Sequence, residues 1–266
     1  MNKREKQYLE IFLAPVRKCR SYRPKFGKGS KDNGLSLDEF KTLYGSDSFY
    51  AWVGLDTDLM YAAHRAAGGM TSVYRQIGIG CERLFRAILA DAACYTDPKY
   101  AGWSYTAKTR SGKEKKLSLD GRLELSEIRD MTVLHNVTQW IDAYCADLRE
   151  VAKPANGMVF EVRQGYKSKD SKRQNADIDN ATVAWANGYL PVFAIFSGQI
   201  DADIVLRYRN NRCGILTGTV NGDEKSSLYI FCRQVLGYDL AGFFGRYSDD
   251  IKAEIHDVLE TLLRAD

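Results

Sequence analysis

The segment from Met158 to Phe196 constrains this chain most, because its two strand-like runs and the stretch between them can satisfy their backbone groups in few ways. Met158-Val-Phe-Glu-Val-Arg163 alternates with strand periodicity: Met158, Phe160 and Val162 take one face, and Val159, Glu161 and Arg163 the other. Ser168 or Asp170 can cap a following helix that stops at Asn187-Gly188. Tyr189-Leu-Pro-Val-Phe-Ala-Ile-Phe196 is the most apolar strand of the chain, the pattern of a buried parallel partner. Strand, helix and strand in this order make a right-handed crossover, so the fold class is α/β.

The rest of the chain fits a mixed α/β order. Residues 1–14 read as a short amphipathic helix, 17–34 as a Gly/Lys-rich loop, and 37–44 as a helix opened by Ser36 and Glu39 at capping-box spacing. Ile77, Leu84, Ala87, Ile88 and Ala92 carry the helical period over 71–94. Residues 102–120 form a hairpin or loop in which Leu117 and Leu119 alternate into Asp120-Gly121, and a helix is expected over 126–138. Trp140–Val151 fits either element, with β-formers in alternation but also Ala and Glu. Lys153-Pro-Ala-Asn-Gly157 is a reversal. Helices at 200–209, 226–236 and 248–264 and a short strand at 213–218 complete the chain. With no linker or repeat, we read 1–266 as a single domain, 1–70 being a helical and basic extension and 71–266 the core with its C-terminal helices.

Hydrophobic residues make up 45% of the chain, enough to form a core and to exclude a disordered chain. No run approaches the roughly 20 apolar residues of a membrane span, and MNKREKQYLEIFLAP is too charged for a secretory signal. A soluble cytoplasmic protein without membrane partners is expected. The six cysteines have no CxxC pair and read as reduced thiols, mostly in the core. His64, His135 and His256 are scattered, so a histidine metal cluster or a Ser-His-Asp triad has little support; His135 could serve as a base or DNA contact, or be a structural imidazole. Gly78-Ile-Gly80 lacks the pattern of a nucleotide-binding loop, and no nucleotide cofactor is expected.

Charge is distributed unevenly. Residues 17–31 hold seven Lys and Arg and no acid, with Tyr22 and Phe26 interleaved; 108–116 and 167–173 are also basic. Such segments suit phosphate contacts or, singly, solvated loops. Glu161 and Arg163 must face something polar, since isolated charges are costly to bury. A carboxylate at a strand end followed by a basic helix suits metal-assisted attack on a phosphodiester; the alternative is an ion pair of Glu161 with Arg163 or Lys167.

Two strands joined by a turn, the second reading apolar-Glu-apolar-cation, resemble the PD-(D/E)XK nuclease core of type II restriction endonucleases. The wording FEVRQGYKSKDSKRQNAD is similar to the ApaLI-like branch. The motif match covers roughly 140–198, and a helix match extends it to about 76. The resemblance implies a central mixed sheet flanked by helices, a Mg²⁺ cofactor, double-stranded DNA as substrate and a homodimer that cuts both strands of a palindrome, leaving phosphate-ended breaks. It makes Glu161 the second acidic metal ligand. The first should lie near the preceding strand; Asp147 is preferred, Asp142 is second, and Asp120 is third because a helix would have to intervene.

The family's lysine position holds Arg163, which cannot accept a proton at ordinary pH. Either Arg163 orients phosphate and stabilises charge, or Lys167 or Lys169 reaches the site. Glu82 is similar to a helix glutamate that members of the fold point at the metal, and Arg86 four residues on offers it an ordinary helix partner. Lys169, Lys172 and Arg173 share a helix face that, with Asp170, Gln174 and Asn175, suits the major groove: Lys172 or Arg173 would read guanine, and Gln174 or Asn175 adenine. A DNA-binding protein without catalysis and a repair or single-strand nuclease on the same fold are the alternatives.

Overall fold

In a computed structural model of the chain, residues 3–26, 34–108, 114–148, 153–166 and 171–263 are described. Their order is α1 (Lys3–Arg17), α2 (Leu37–Gly45), α3 (Ser48–Trp52), α4 (Asp58–Ala92), β1 (Trp103–Lys108), β2 (Glu114–Leu119), β3 (Gly121–Glu124), α5 (Met131–Asp147), β4 (Gly157–Arg163), α6 (Ser171–Ala186), β5 (Tyr189–Ile195), α7 (Ala202–Asn210), β6 (Gly214–Leu216), α8 (Leu228–Gln234), α9 (Leu240–Arg246) and α10 (Ser248–Leu263). Two compact units are present: Met1–Gly80 with Arg246–Asp266, and Cys81–Gly245.

In the first unit Val16, Cys19, Val73, Val258 and Leu262 form one core cluster, and Phe26, Leu35, Phe40 and Tyr61 another. The expected capping box opens α2: Ser36 Oγ accepts from Glu39 N–H at 3.3 Å, and Glu39 Oε2 accepts from Ser36 N–H at 2.9 Å. Arg17 and Arg20, read as part of a phosphate-contacting segment, are instead engaged by carboxylates. Arg17 pairs with Glu10 and Glu254, and Arg20 with Glu254 and Asp257.

The second unit is α/β, with a mixed four-stranded sheet in the order β3-β4-β5-β6 flanked by helices. β3 runs antiparallel to β4, pairing Gly121 with Phe160 and Glu124 with Gly157, whereas β4 and β5 are parallel from Gly157–Tyr189 to Arg163–Ile195. β6 extends the parallel part, and β1 and β2 form a separate antiparallel hairpin. The strand–helix–strand reading thus holds, and β5 is buried along its whole length.

The segment that fitted either element resolves to a helix as far as residue 147. Residues 140–147 belong to α5, not to a strand, because Val133, Val137, Trp140, Ile141 and Tyr144 bury one face at helical spacing. The antiparallel neighbour of β4 is therefore the short β3, and Asp120 stands immediately before it.

Gly157 opens β4 at φ +130°, where a Cβ would lie 2.1 Å from the Leu123 carbonyl oxygen. Only glycine tolerates that backbone region and that approach. Gly157→Ala is expected to lower unfolding stability by about 2–3 kcal/mol, read as a lower urea midpoint at unchanged slope. An unchanged midpoint would mean that β4 does not start in this conformation.

Candidate active site

β4 divides its side chains between two layers. Phe160 packs edge-on to Phe85 with ring centroids 5.1 Å apart and faces Phe231 on α8, while Val159 joins Trp103, Leu119, Ala184 and Tyr189. Glu161 and Arg163 follow Val159 on its face, and α6 covers them. Their side chains are only 13% and 14% exposed, so the polar surroundings they need come from within the fold.

Arg163 Nη2 bridges two carboxylates, lying 2.6 Å from Glu161 Oε1 and 2.7 Å from Asp177 Oδ1. The other oxygen of Asp177 accepts from Tyr166 at 3.0 Å and from Tyr208 at 2.8 Å, and the two hydroxyls are 3.0 Å apart. Tyr208 is held by a parallel ring stack on Phe193 with a centroid separation of 4.2 Å. Burial of these five polar groups is tolerable because each answers another.

Asp120 reaches the same place from the β2–β3 junction. Its N–H donates to the Phe160 carbonyl at 2.9 Å, its Oδ2 accepts from Val162 N–H at 2.9 Å, and its own carbonyl accepts from Arg86 Nε at 2.6 Å. Glu82, one helical turn before Arg86 on α4, adds a fourth carboxylate within electrostatic reach of Asp120, Glu161 and Arg163.

Crowding acids in a buried site favours their neutral forms. Burial pushes Glu161 up to about 8; Arg163 opposes the shift, while Asp120, Asp177 and Glu82 add to it. Glu82 is pushed up to about 7, first by burial and then by Asp120, against Arg163, Arg86 and Arg173. Asp120 is also raised by burial, with the Val162 N–H and the Arg163 and Arg86 charges opposing. For Arg163, burial works against the charge, yet Glu161 and Asp177 outweigh it and hold the guanidinium protonated. The site thus favours protonated acids, and a bound cation would favour their ionised forms instead.

Of the expected site residues, Glu161, Arg163, Glu82 and Asp120 come together. Asp147, the preferred first acid, does not: it ends α5 and pairs with Lys225 at 2.5 Å, while Asp142 on the same helix pairs with Lys153 at 2.5 Å. The helical period of α5 is the reason, since it turns residues 142 and 147 away from any strand beside β4. His135 is exposed on α5. Lys167, Lys169 and Asp170 lie outside the described residues.

The chain matches no family model, no curated protein and no solved structure.

Lys172 and Arg173 are exposed in the first turn of α6, as a groove-facing surface needs. Gln174 is not available in that way: it is 5% exposed, and its amide oxygen accepts from Arg207 at 2.7 Å. Asn175 is exposed, but Arg207 also donates to its amide oxygen, at 2.5 Å. Adenine readout by Gln174 therefore gives way to a packing role between α6 and α7.

Sequence reading missed Asp177, Tyr166 and Tyr208. One signal was present for Asp177: it shares a helical stripe with Ala181 and Ala184, an acid where the period calls for an apolar residue. The tyrosines gave none, because only the fold brings 166 and 208 to one carboxylate.

Among the described residues no helix is long and apolar enough to cross a membrane, and no three His, Cys, Asp or Glu side chains form a ready metal cage.

Proposed function

We propose that the protein is a Mg²⁺-dependent, sequence-specific endonuclease of double-stranded DNA, a type II restriction enzyme on a PD-(D/E)XK-type core. The observation that carries the reading is the convergence of Asp120, Glu161 and Glu82 around Arg163 at adjoining ends of β3 and β4. The donor set fits the cation: Mg²⁺ prefers oxygen ligands, keeps several waters, and is commonly held by one or two carboxylates plus substrate phosphate. Asp120 and Glu161 would hold it. Bound there, it would supply a water of lowered pKa and polarise the scissile phosphate.

The chain's own groups do the rest. Glu82, with a carboxyl near neutrality, is placed to accept a proton at the edge of the site. Arg163 cannot act as a base, so its part is to donate to a phosphate oxygen and stabilise charge. Lys172 and Arg173 face outward beside it and would contact phosphates or guanine edges. Cutting both strands of a palindrome requires two copies of such a site, hence a homodimer.

A second reading, DNA binding without cleavage, is favoured by the engagement of Arg163 with two carboxylates, which leaves the usual lysine function unfilled. Incubation with long duplex DNA with and without Mg²⁺, followed by end sequencing, separates the two. Discrete fragments with one shared terminal sequence are expected only with the metal. Ends without a common sequence would point to a repair-type nuclease, and retention of unmethylated DNA of many sequences without any cutting would point to a binding module.

A further inference from the structure

Asp177 is 4% exposed, on the buried stripe of α6 with Gln174, Ala181 and Ala184. A carboxylate so placed is costly unless it is fully answered, and here it is answered by Arg163 on one oxygen and two tyrosine hydroxyls on the other. Arg163 depends on it in turn. The same Nη2 serves both Asp177 and Glu161, and Nε is buried with no hydrogen-bond partner among the described residues. Without Asp177, Glu161 would be the one carboxylate left within ion-pair distance of that nitrogen among the described residues.

We propose that Asp177, fixed by Tyr166 and Tyr208, is a positioning residue: it holds Arg163 between itself and Glu161, so that the guanidinium is shared by two carboxylates and not committed to one. Glu161 is then shared with the arginine and not saturated by it, which leaves it available to a divalent cation, and Arg163 remains where a phosphate would lie. The inference rests on the reading of Asp120 and Glu161 as the cation-holding pair.

A double-mutant cycle read by Mn²⁺ calorimetry tests it. Asp177→Asn is expected to weaken Mn²⁺ binding about tenfold, as loss of an outer partner of a metal ligand commonly does. In an Arg163→Gln background the same change should matter less than about twofold, because the residue acts through the arginine. Equal losses in both backgrounds would overturn the proposal, since Asp177 would then act by its own charge.

A metal-free measurement separates this idea from the nuclease reading. In ¹⁵N-labelled protein the Arg163 guanidinium should rotate slowly, and faster in Asp177→Asn and in Tyr208→Phe, which keeps the ring stack on Phe193 and serves if Asp177→Asn does not fold. Unchanged rotation in the folded variants would overturn the positioning role. Should the native protein neither bind Mn²⁺ nor cut DNA, the nuclease reading fails on its own, and the guanidinium signal still decides whether Asp177 holds Arg163.

Discussion

Asp120→Asn and Glu161→Gln are each expected to lower Mg²⁺-dependent DNA cleavage by about 10²–10³-fold or more, whereas Asp147→Asn should stay within about twofold. Both amides are close in shape to the acids they replace. Asn at 120 can still accept from Val162 N–H, so the β2–β3 junction should survive while the anionic charge is lost. Combining the two changes should cost little beyond either alone, because groups that act as one unit are not additive. Asp147 serves as the control because it ends α5 and its partner is Lys225, not a member of the Glu161 cluster. Single-turnover cleavage of a substrate bearing the mapped site is the measurement. An Asp120→Asn protein that cuts at the native rate would remove Asp120 from the site, and a large loss in Asp147→Asn would restore the reading that the fold argues against.

The second large effect concerns stability. Glu161 carries a carboxyl raised to about 8 in the folded protein from 4.5. Below about pH 4.5 it is protonated in both states and contributes its full share of stability. As pH climbs towards 8 the unfolded chain releases this proton while the fold retains it, so stability falls. For a side chain this buried the loss is on the order of 3–5 kcal/mol across that window. The metal-free protein should therefore unfold at lower urea concentration at pH 8 than at pH 5.5, and Glu161→Gln should flatten the difference. Mg²⁺ should restore stability at the alkaline end, since it binds the ionised acids. Arg163→Met sharpens the same dependence: it strands Asp177 and Glu161 together and is expected to cost about 3–5 kcal/mol at pH 8, less at pH 5.5. A stability that rises between pH 5.5 and 8 in the metal-free protein would show that Glu161 is ionised in the fold throughout.

Much of this architecture was legible in residue order. Alternation through Met158–Arg163, the apolar run Tyr189–Ile195 and the Asn-Gly stop between them specify two strands and a helix, and β4 and β5 pair in parallel as that order requires. Glu161 and Arg163 stand out for the same local reason, as charges on a strand otherwise built of apolar residues. Local periodicity was also enough for α2, whose capping box is written in Ser36 and Glu39.

What the sequence could not determine is which distant segment lies beside β4. Trp140–Val151 carries a strand-like alternation and a helical stripe together, and burial of Val137, Trp140, Ile141 and Tyr144 against the rest of the unit selects the helix. That selection moves Asp142 and Asp147 to the helix surface and leaves the place beside Glu161 to Asp120, separated from it by the whole of α5. Asp177, Tyr166 and Tyr208 meet for a similar reason: α6 crosses over β4, and α7 presents its tyrosine to the same carboxylate. By itself the sequence determined the strands, the crossover helix and the acid–cation pair on β4, because each depends on neighbours a few residues away. Only the tertiary structure decided which acid joins Glu161 and what anchors Arg163, because long-range strand pairing and helix packing depend on burial summed over the unit, not on local pattern.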